Sequence, residues 1–165
     1  MLQKKLIRLA KRADACPRLY ELAACKTDSE LVALMFRHWD FVREKKFPPI
    51  TLLRACKEML LSHGVWVDDP DARIAGTAKV ALFNSSAIAV ASGFDSQAIY
   101  ATSISSLQIM AKDHALVVVD ASGMTDVSIE ASDKAAVIIT LHDNASIRTN
   151  KHKHIKVIDK RHVKI

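Results

Sequence analysis

Apolar residues recur along this chain at two different spacings, and the change from one to the other falls at Gly64. Before it the period is helical. Leu2, Leu6, Leu9 and Ala13 predict a short amphipathic helix with Lys4, Lys5, Arg8, Lys11 and Arg12 on its remaining faces. Pro17 opens a second short helix that runs through Cys25. Thr27, with Glu30 three residues on, has capping-box spacing, and Leu31, Met35, Trp39 and Val42 then mark one face of a helix reaching about Lys46. Pro48 and Pro49 end it. A further helix carries Leu52, Leu53, Cys56, Met59 and Leu60, beginning near Thr51 and closing at Gly64, a residue suited to a left-handed C-cap.

Beyond Gly64 the runs become short and β-prone. Val65-Trp66-Val67 is extended in character, and Asp68-Asp69-Pro70-Asp71 is a strong turn or linker signal. Strands are then expected around Val80, Val90, Tyr100, Ile109, Val118, Ile129, Ile138, Ile147 and Val157, about nine to eleven residues apart. Three of the intervening corners read Asp-x-Ala: Asp113-His114-Ala115, Asp133-Lys134-Ala135 and Asp143-Asn144-Ala145. Repetition at a fixed interval marks a solenoid, whose units bury their apolar side only by stacking on one another. About ten residues make one strand and one corner, so a closed coil takes two or three of them. Two per coil stacks Asp113 near Asp133 and Lys153, Gly123 near Asp143, and Val117-Val118-Val119 under Val137-Ile138-Ile139 and roughly under Ile155 to Val157. A three-sided coil near thirty residues stays open. Four or five coils give a rod roughly 20 to 25 Å long, with residues 1–64 as a helical cap and 65–165 as the coil.

Charge divides the chain differently. Residues 1–64 carry 13 Lys and Arg against 7 Asp and Glu, residues 65–145 carry 4 against 10, and residues 146–165 carry 7 against 1. The net charge of +6 is thus basic at both ends and acidic between. No apolar run approaches the roughly 20 residues of a membrane span, and Met1-Leu2-Gln3-Lys4-Lys5 lacks the apolar stretch of a signal peptide. The expectation is a soluble cytoplasmic protein without a membrane partner. Cys16, Cys25 and Cys56 show neither CxxC nor zinc-ligand spacing and read as reduced packing residues.

The motif Asp-Asn-Ala-x-Ile/Val, intact at Asp143 to Ile147 and degenerate at Asp113 and Asp133, resembles the repeat of a group of uncharacterised bacterial and phage proteins. In those a small helical region, here Lys57 to Gly64 with Val65-Trp66-Val67-Asp68-Asp69, leads into a right-handed β-helix. The resemblance covers most of the chain from about residue 50. It implies an α+β fold, a helical cap on a short right-handed β-helix, in a phage or mobile-element setting, and no activity. A more distant similarity is to bactofilins, β-helices that polymerise end to end, from which the helical front third and the basic last coil depart.

The chemistry on offer is sparse. Asp95, Asp113, Asp133 and Asp143 fall at corners, where aspartate accepts hydrogen bonds from backbone amides two residues on. His142 and His162 are twenty residues apart, as are His114, Lys134 and His154. A metal shared by His142 and His162 is the weak candidate, and solvated corner histidines are the simpler reading, so no metal and no cofactor is expected. Asp120 and Glu130 are the strand-end carboxylates that could face each other, outward positions otherwise being mostly Ser, Thr, Gln, Lys and Ala. A cysteine nucleophile paired with His38 or His63 has no supporting motif. The reading is therefore a non-catalytic protein-interaction or structural module, such as an inhibitor, immunity or accessory protein. The alternatives are nucleic-acid or acidic-partner binding through Lys4, Lys5, Arg8, Lys11 and Arg12 with Lys151, Lys153, Lys156, Lys160, Arg161 and Lys164, or an end-to-end polymer. Self-association through a helical face bearing Phe36 and Trp39 is also open.

Overall fold

The computed structural model describes residues 2–12 and 19–161, and the chain divides into two compact units, Met1–His63 and Gly64–Ile165. The first unit is helical: α1 (Leu2–Arg12), α2 (Leu19–Ala24), α3 (Asp28–Arg37), α4 (Trp39–Lys45), α5 (Ile50–Ala55) and α6 (Lys57–Leu61). Pro17 lies outside the described residues. The capping box forms as its spacing requires. The Thr27 hydroxyl accepts from the Glu30 amide at 3.2 Å, and the Glu30 carboxylate accepts from the Thr27 amide at 3.1 Å.

Two expected helices are each broken once. The segment from Thr27 divides at His38 (φ −112°, ψ 41°), whose ring meets the Glu21 carboxylate of α2 at 3.0 Å, and the segment from Thr51 divides at Cys56 (φ −117°, ψ 15°). Gly64 has its positive φ, +76°, two residues after the Ser62 cap of α6, where its carbonyl accepts from the Ala81 amide at 3.0 Å. A methyl group there would lie 3.0 Å from the Lys79 carbonyl oxygen. Leu6, Ala10, Leu22 and Leu52 form the helical core. Phe36 and Trp39 are buried too, so neither presents an exposed side chain for self-association.

The second unit is a β-solenoid. Its strands are β1 (Val65–Val67), β2 (Ala72–Ala75), β3 (Ala78–Phe83), β4 (Ser86–Ala91), β5 (Ser96–Thr102), β6 (Ser106–Ala111), β7 (Leu116–Ala121), β8 (Asp126–Ala131), β9 (Ala136–Leu141), β10 (Ser146–Thr149) and β11 (Ile155–Asp159). Odd-numbered strands form a six-stranded parallel sheet and even-numbered strands a five-stranded one, so each coil has two sides. All nine expected strand centres lie in strands. β2 was not foreseen.

The twenty-residue register holds through the middle. Ile129 pairs with Ile109, and Ile138 with Val118. It shortens at the ends, with Val65 on Ala81 and Ile155 on Val137. Alternate residues point inward and stack into continuous columns: Ile99, Val119 and Ile139 from one sheet, Ala89, Ile109 and Ile129 from the other, each at most 1% exposed. Period-two alternation puts one set of side chains in this core and leaves the other outside.

Corner aspartates hold the coils in register more directly than an intraturn bond would. Asp113, Asp133 and Asp143 have φ of 62°, 56° and 54°, a left-handed conformation that aspartate tolerates. Each carboxylate accepts from the amide one coil earlier: Asp113 from Gly93 at 2.9 Å, Asp133 from Asp113 at 3.4 Å, and Asp143 from Gly123 at 3.0 Å. Asp95 instead bonds within its own corner, accepting from the Ser92 amide at 2.9 Å, and Asp133 also accepts from the neighbouring Ser132 hydroxyl at 3.1 Å. The buried Ala115, Ala135 and Ala145 follow because the third corner residue turns into the core.

Candidate functional site

The solenoid exposes two long sheet faces whose residues the fold leaves free to vary. On the six-stranded sheet the outward row is Lys79, Ala98, Val118, Ile138 and Lys156, flanked on one side by Ser96, Leu116 and Ala136 and on the other by Tyr100, Asp120 and Thr140. Val118 is 42% exposed and Leu116 39%. Phe94, at the corner beside Ser96, is 86% exposed and stacks on the His114 ring at 5.1 Å. The Lys79 ammonium lies 5.9 Å from the Tyr100 ring centroid, within cation–π range. This apolar band was hidden in the sequence, where outward positions were expected to be Ser, Thr, Gln, Lys and Ala. Its signal is the unbroken run Leu116-Val117-Val118-Val119, in which apolar residues occupy both parities.

The five-stranded face is more polar. Its rows are Ser86, Ser106, Asp126 and Ser146, then Arg73, Ile88, Gln108, Ser128 and Arg148. Arg148 donates to Asp126 at 2.7 Å on that surface. Apolar side chains there, Ile88, Val90 and Met110, belong to the earlier coils.

His142 is 6% exposed, and its Nε2 lies 3.2 Å from an Asp120 carboxylate oxygen, so it is a buried, partnered residue where a solvated corner histidine was expected. His162 lies outside the described residues, and no group of three His, Cys, Asp or Glu among the described residues could hold a metal ion. The second expected ladder keeps His114 and Lys134 one coil apart but loses His154, because the last coil is two residues shorter. There His152, not His154, reaches the Asp133 carbonyl at 3.2 Å. For the same reason Lys153 does not stack on Asp133. Asp120 and Glu130 point outward from opposite sheets, so they do not face each other.

The cysteines offer little nucleophilic chemistry. Cys16 is outside the described residues, while Cys25 and Cys56 are half-buried free thiols. Burial pushes the Cys25 thiol up, with Glu30 and Glu21 adding to the shift against Arg37. The imidazole of His38 is held by Glu21. The helical unit has a half-open apolar hollow of about 70 Å³ lined by Leu22, Leu34, Met35, Phe41 and Phe47, with His38 the polar group on its wall. Metabolite-sized sites are several times larger.

The expected basic residues fall in two different units. Lys4, Arg8 and Lys11 are exposed on α1, which also contains Lys5 and Arg12. Lys151, Lys153, Lys156, Lys160 and Arg161 are exposed on the last coil, and Lys164 lies outside the described residues. Arg161 is engaged by Asp159 through its Nε at 2.9 Å. No helix among the described residues is long and apolar enough to cross a membrane.

The chain matches no family model, no curated protein and no solved structure. The β-helix implied by the Asp-Asn-Ala resemblance is present, while the phage setting and the bactofilin likeness find no support in these comparisons.

Proposed function

We propose that the solenoid is a non-catalytic protein-binding module and that its binding surface is the outer face of the six-stranded sheet. The observation that supports this reading is the contiguous stacking of exposed Leu116 and Val118 with half-buried Ile138 on strands whose backbones are already paired on both sides. Folding requires no apolar side chain at those positions, since the core is complete beneath them. An apolar patch with a polar rim on a rigid scaffold is the usual form of a protein-interaction site.

The test is co-purification from the native cell with wild-type protein and with Val118→Asp and Gln108→Asp, one charge on each face. A partner retained by wild type and Gln108→Asp but lost with Val118→Asp supports the reading. A partner set unchanged by Val118→Asp, in protein whose circular dichroism is that of wild type, removes it.

A further inference from the structure

Resting on that reading of the six-stranded face, the chemistry of its occupant follows from three features of the surface. The first is that β5, β7 and β9 each have neighbours on both sides. Their amides and carbonyls are used, so whatever lies on the face must satisfy its own backbone groups. An extended peptide could not do so; an α-helix does.

The second feature is shape. The apolar row Ala98, Val118, Ile138 runs across the strands, and its ends, Lys79 and Lys156, are four strand spacings apart, about 19 Å. A helix of about 13 residues has that length. The flanking columns, Leu116 with Ala136 and Tyr100 with Asp120, lie two residues to either side, making a band about 13 Å wide. That is close to the 10–12 Å diameter of a helix with its side chains.

The third is charge. Lys79 and Lys156 are exposed at the two ends of the row, while on the corner alongside Lys134 is accompanied by Asp113 and Asp133, whose carboxylates accept from the Gly93 and Asp113 amides. Within the face the flanking carboxylate, Asp120, lies 3.2 Å from His142 Nε2. A second copy of the chain is a poor match. A two-fold axis along the strands sets Lys79 of one copy against Lys156 of the other, and an axis along the solenoid sets each lysine against itself. The chain's own α1 is also a poor match, being basic and having Leu6 and Ala10 buried in the helical core.

We propose that the six-stranded face receives an amphipathic α-helix of about 13 residues from a partner protein, lying along the Ala98–Val118–Ile138 row with a carboxylate side chain near each end. The probe is a pair of side-chain-stapled helical peptides with one Leu/Ile stripe, the first ending in Glu at both termini and the second in Lys. Each is titrated into isotope-labelled full-length protein, following the amide resonances of Ala98, Val118 and Ile138 and the heat of binding.

The acidic peptide is expected to shift those resonances and to bind about 10-fold more tightly than the basic one at low salt, the gap narrowing as salt rises. The double variant Lys79→Glu, Lys156→Glu should invert the order. Equal affinity of the two peptides would overturn the charge assignment and leave the face itself standing. Failure of both to bind would overturn the helix, with the Val118→Asp co-purification still judging the face. A concentration-dependent dimer in analytical ultracentrifugation, abolished by Val118→Asp, would give the face to a second copy.

Discussion

The two sheets of the solenoid are built on one inward pattern and carry two different exteriors. Inside, the middle coils of both place an aliphatic side chain at the core's centre, Ile109 and Ile129 from one, Val119 and Ile139 from the other, all essentially inaccessible. Outside, the middle coils differ: the six-stranded sheet carries Leu116, Val118 and Ile138, and the five-stranded one carries Gln108, Ser128, Asp126 and Glu130 with Met110 as its apolar exception. Stacking alone demands the inner set, because each coil buries its apolar side against the next. It places no such demand on the outer set. A departure from polar residues there is therefore information about contact with something other than this fold.

The largest break of the comparison comes from moving a charge from outside to inside on a single strand. Ile129→Asp puts an unpaired carboxylate in the core, and loss of cooperative folding in a thermal melt is the expected outcome. Val118→Asp makes the same chemical change on the exterior and should shift stability by no more than about 1 kcal/mol. Comparable destabilisation by both would mean that the outer face is part of the core.

The inner pattern was readable and the outer one was not, for a physical reason. Strands such as Val127-Ser128-Ile129-Glu130 alternate cleanly, so their centres and their parity are visible in the sequence. In Leu116-Val117-Val118-Val119 the alternation is erased by the very residues that make the face apolar. β2 escaped notice because Ala72-Arg73-Ile74-Ala75 has one large apolar residue and follows directly on the Asp-Asp-Pro-Asp turn. The breaks at His38 and Cys56 were invisible because neither glycine nor proline marks them and the apolar pattern continues through. The corner aspartates were located correctly, but for Asp113, Asp133 and Asp143 the amide partners are twenty residues away, a distance at which local turn rules say nothing.

Corners keep the two faces in register, and they can be broken selectively. Gly123 has φ 66°, and an added Cβ would stand 2.6 Å from the Ser103 carbonyl oxygen; Gly93 has φ 60° with nothing within 4 Å. Gly123→Ala should therefore cost about 2 kcal/mol or more, and Gly93→Ala about 1 kcal/mol, measured by urea denaturation. Equal costs would show that conformation alone matters there and that the coils do not approach so closely. Smaller again is Asp143→Ala, which removes the acceptor for the Gly123 amide and should cost about 1 kcal/mol, with Asp143→Asn restoring most of it.

The smallest expected effect sharpens the contrast between the exteriors. Arg148 and Asp126 form an ion pair at 2.7 Å on the five-stranded face, with side chains 75% and 46% exposed. Pairs so open to water gain little, because solvent screens the attraction and ordering a long arginine opposes it. Arg148→Ala should change stability by no more than about 0.5 kcal/mol, and that change should vanish in high salt. On the six-stranded face, Lys156→Ala should be equally silent in the melt yet weaken the acidic helical peptide. If Arg148→Ala weakened that peptide as much as Lys156→Ala does, attraction would come from the basic last coil as a whole, and the two faces would no longer differ in what they recruit.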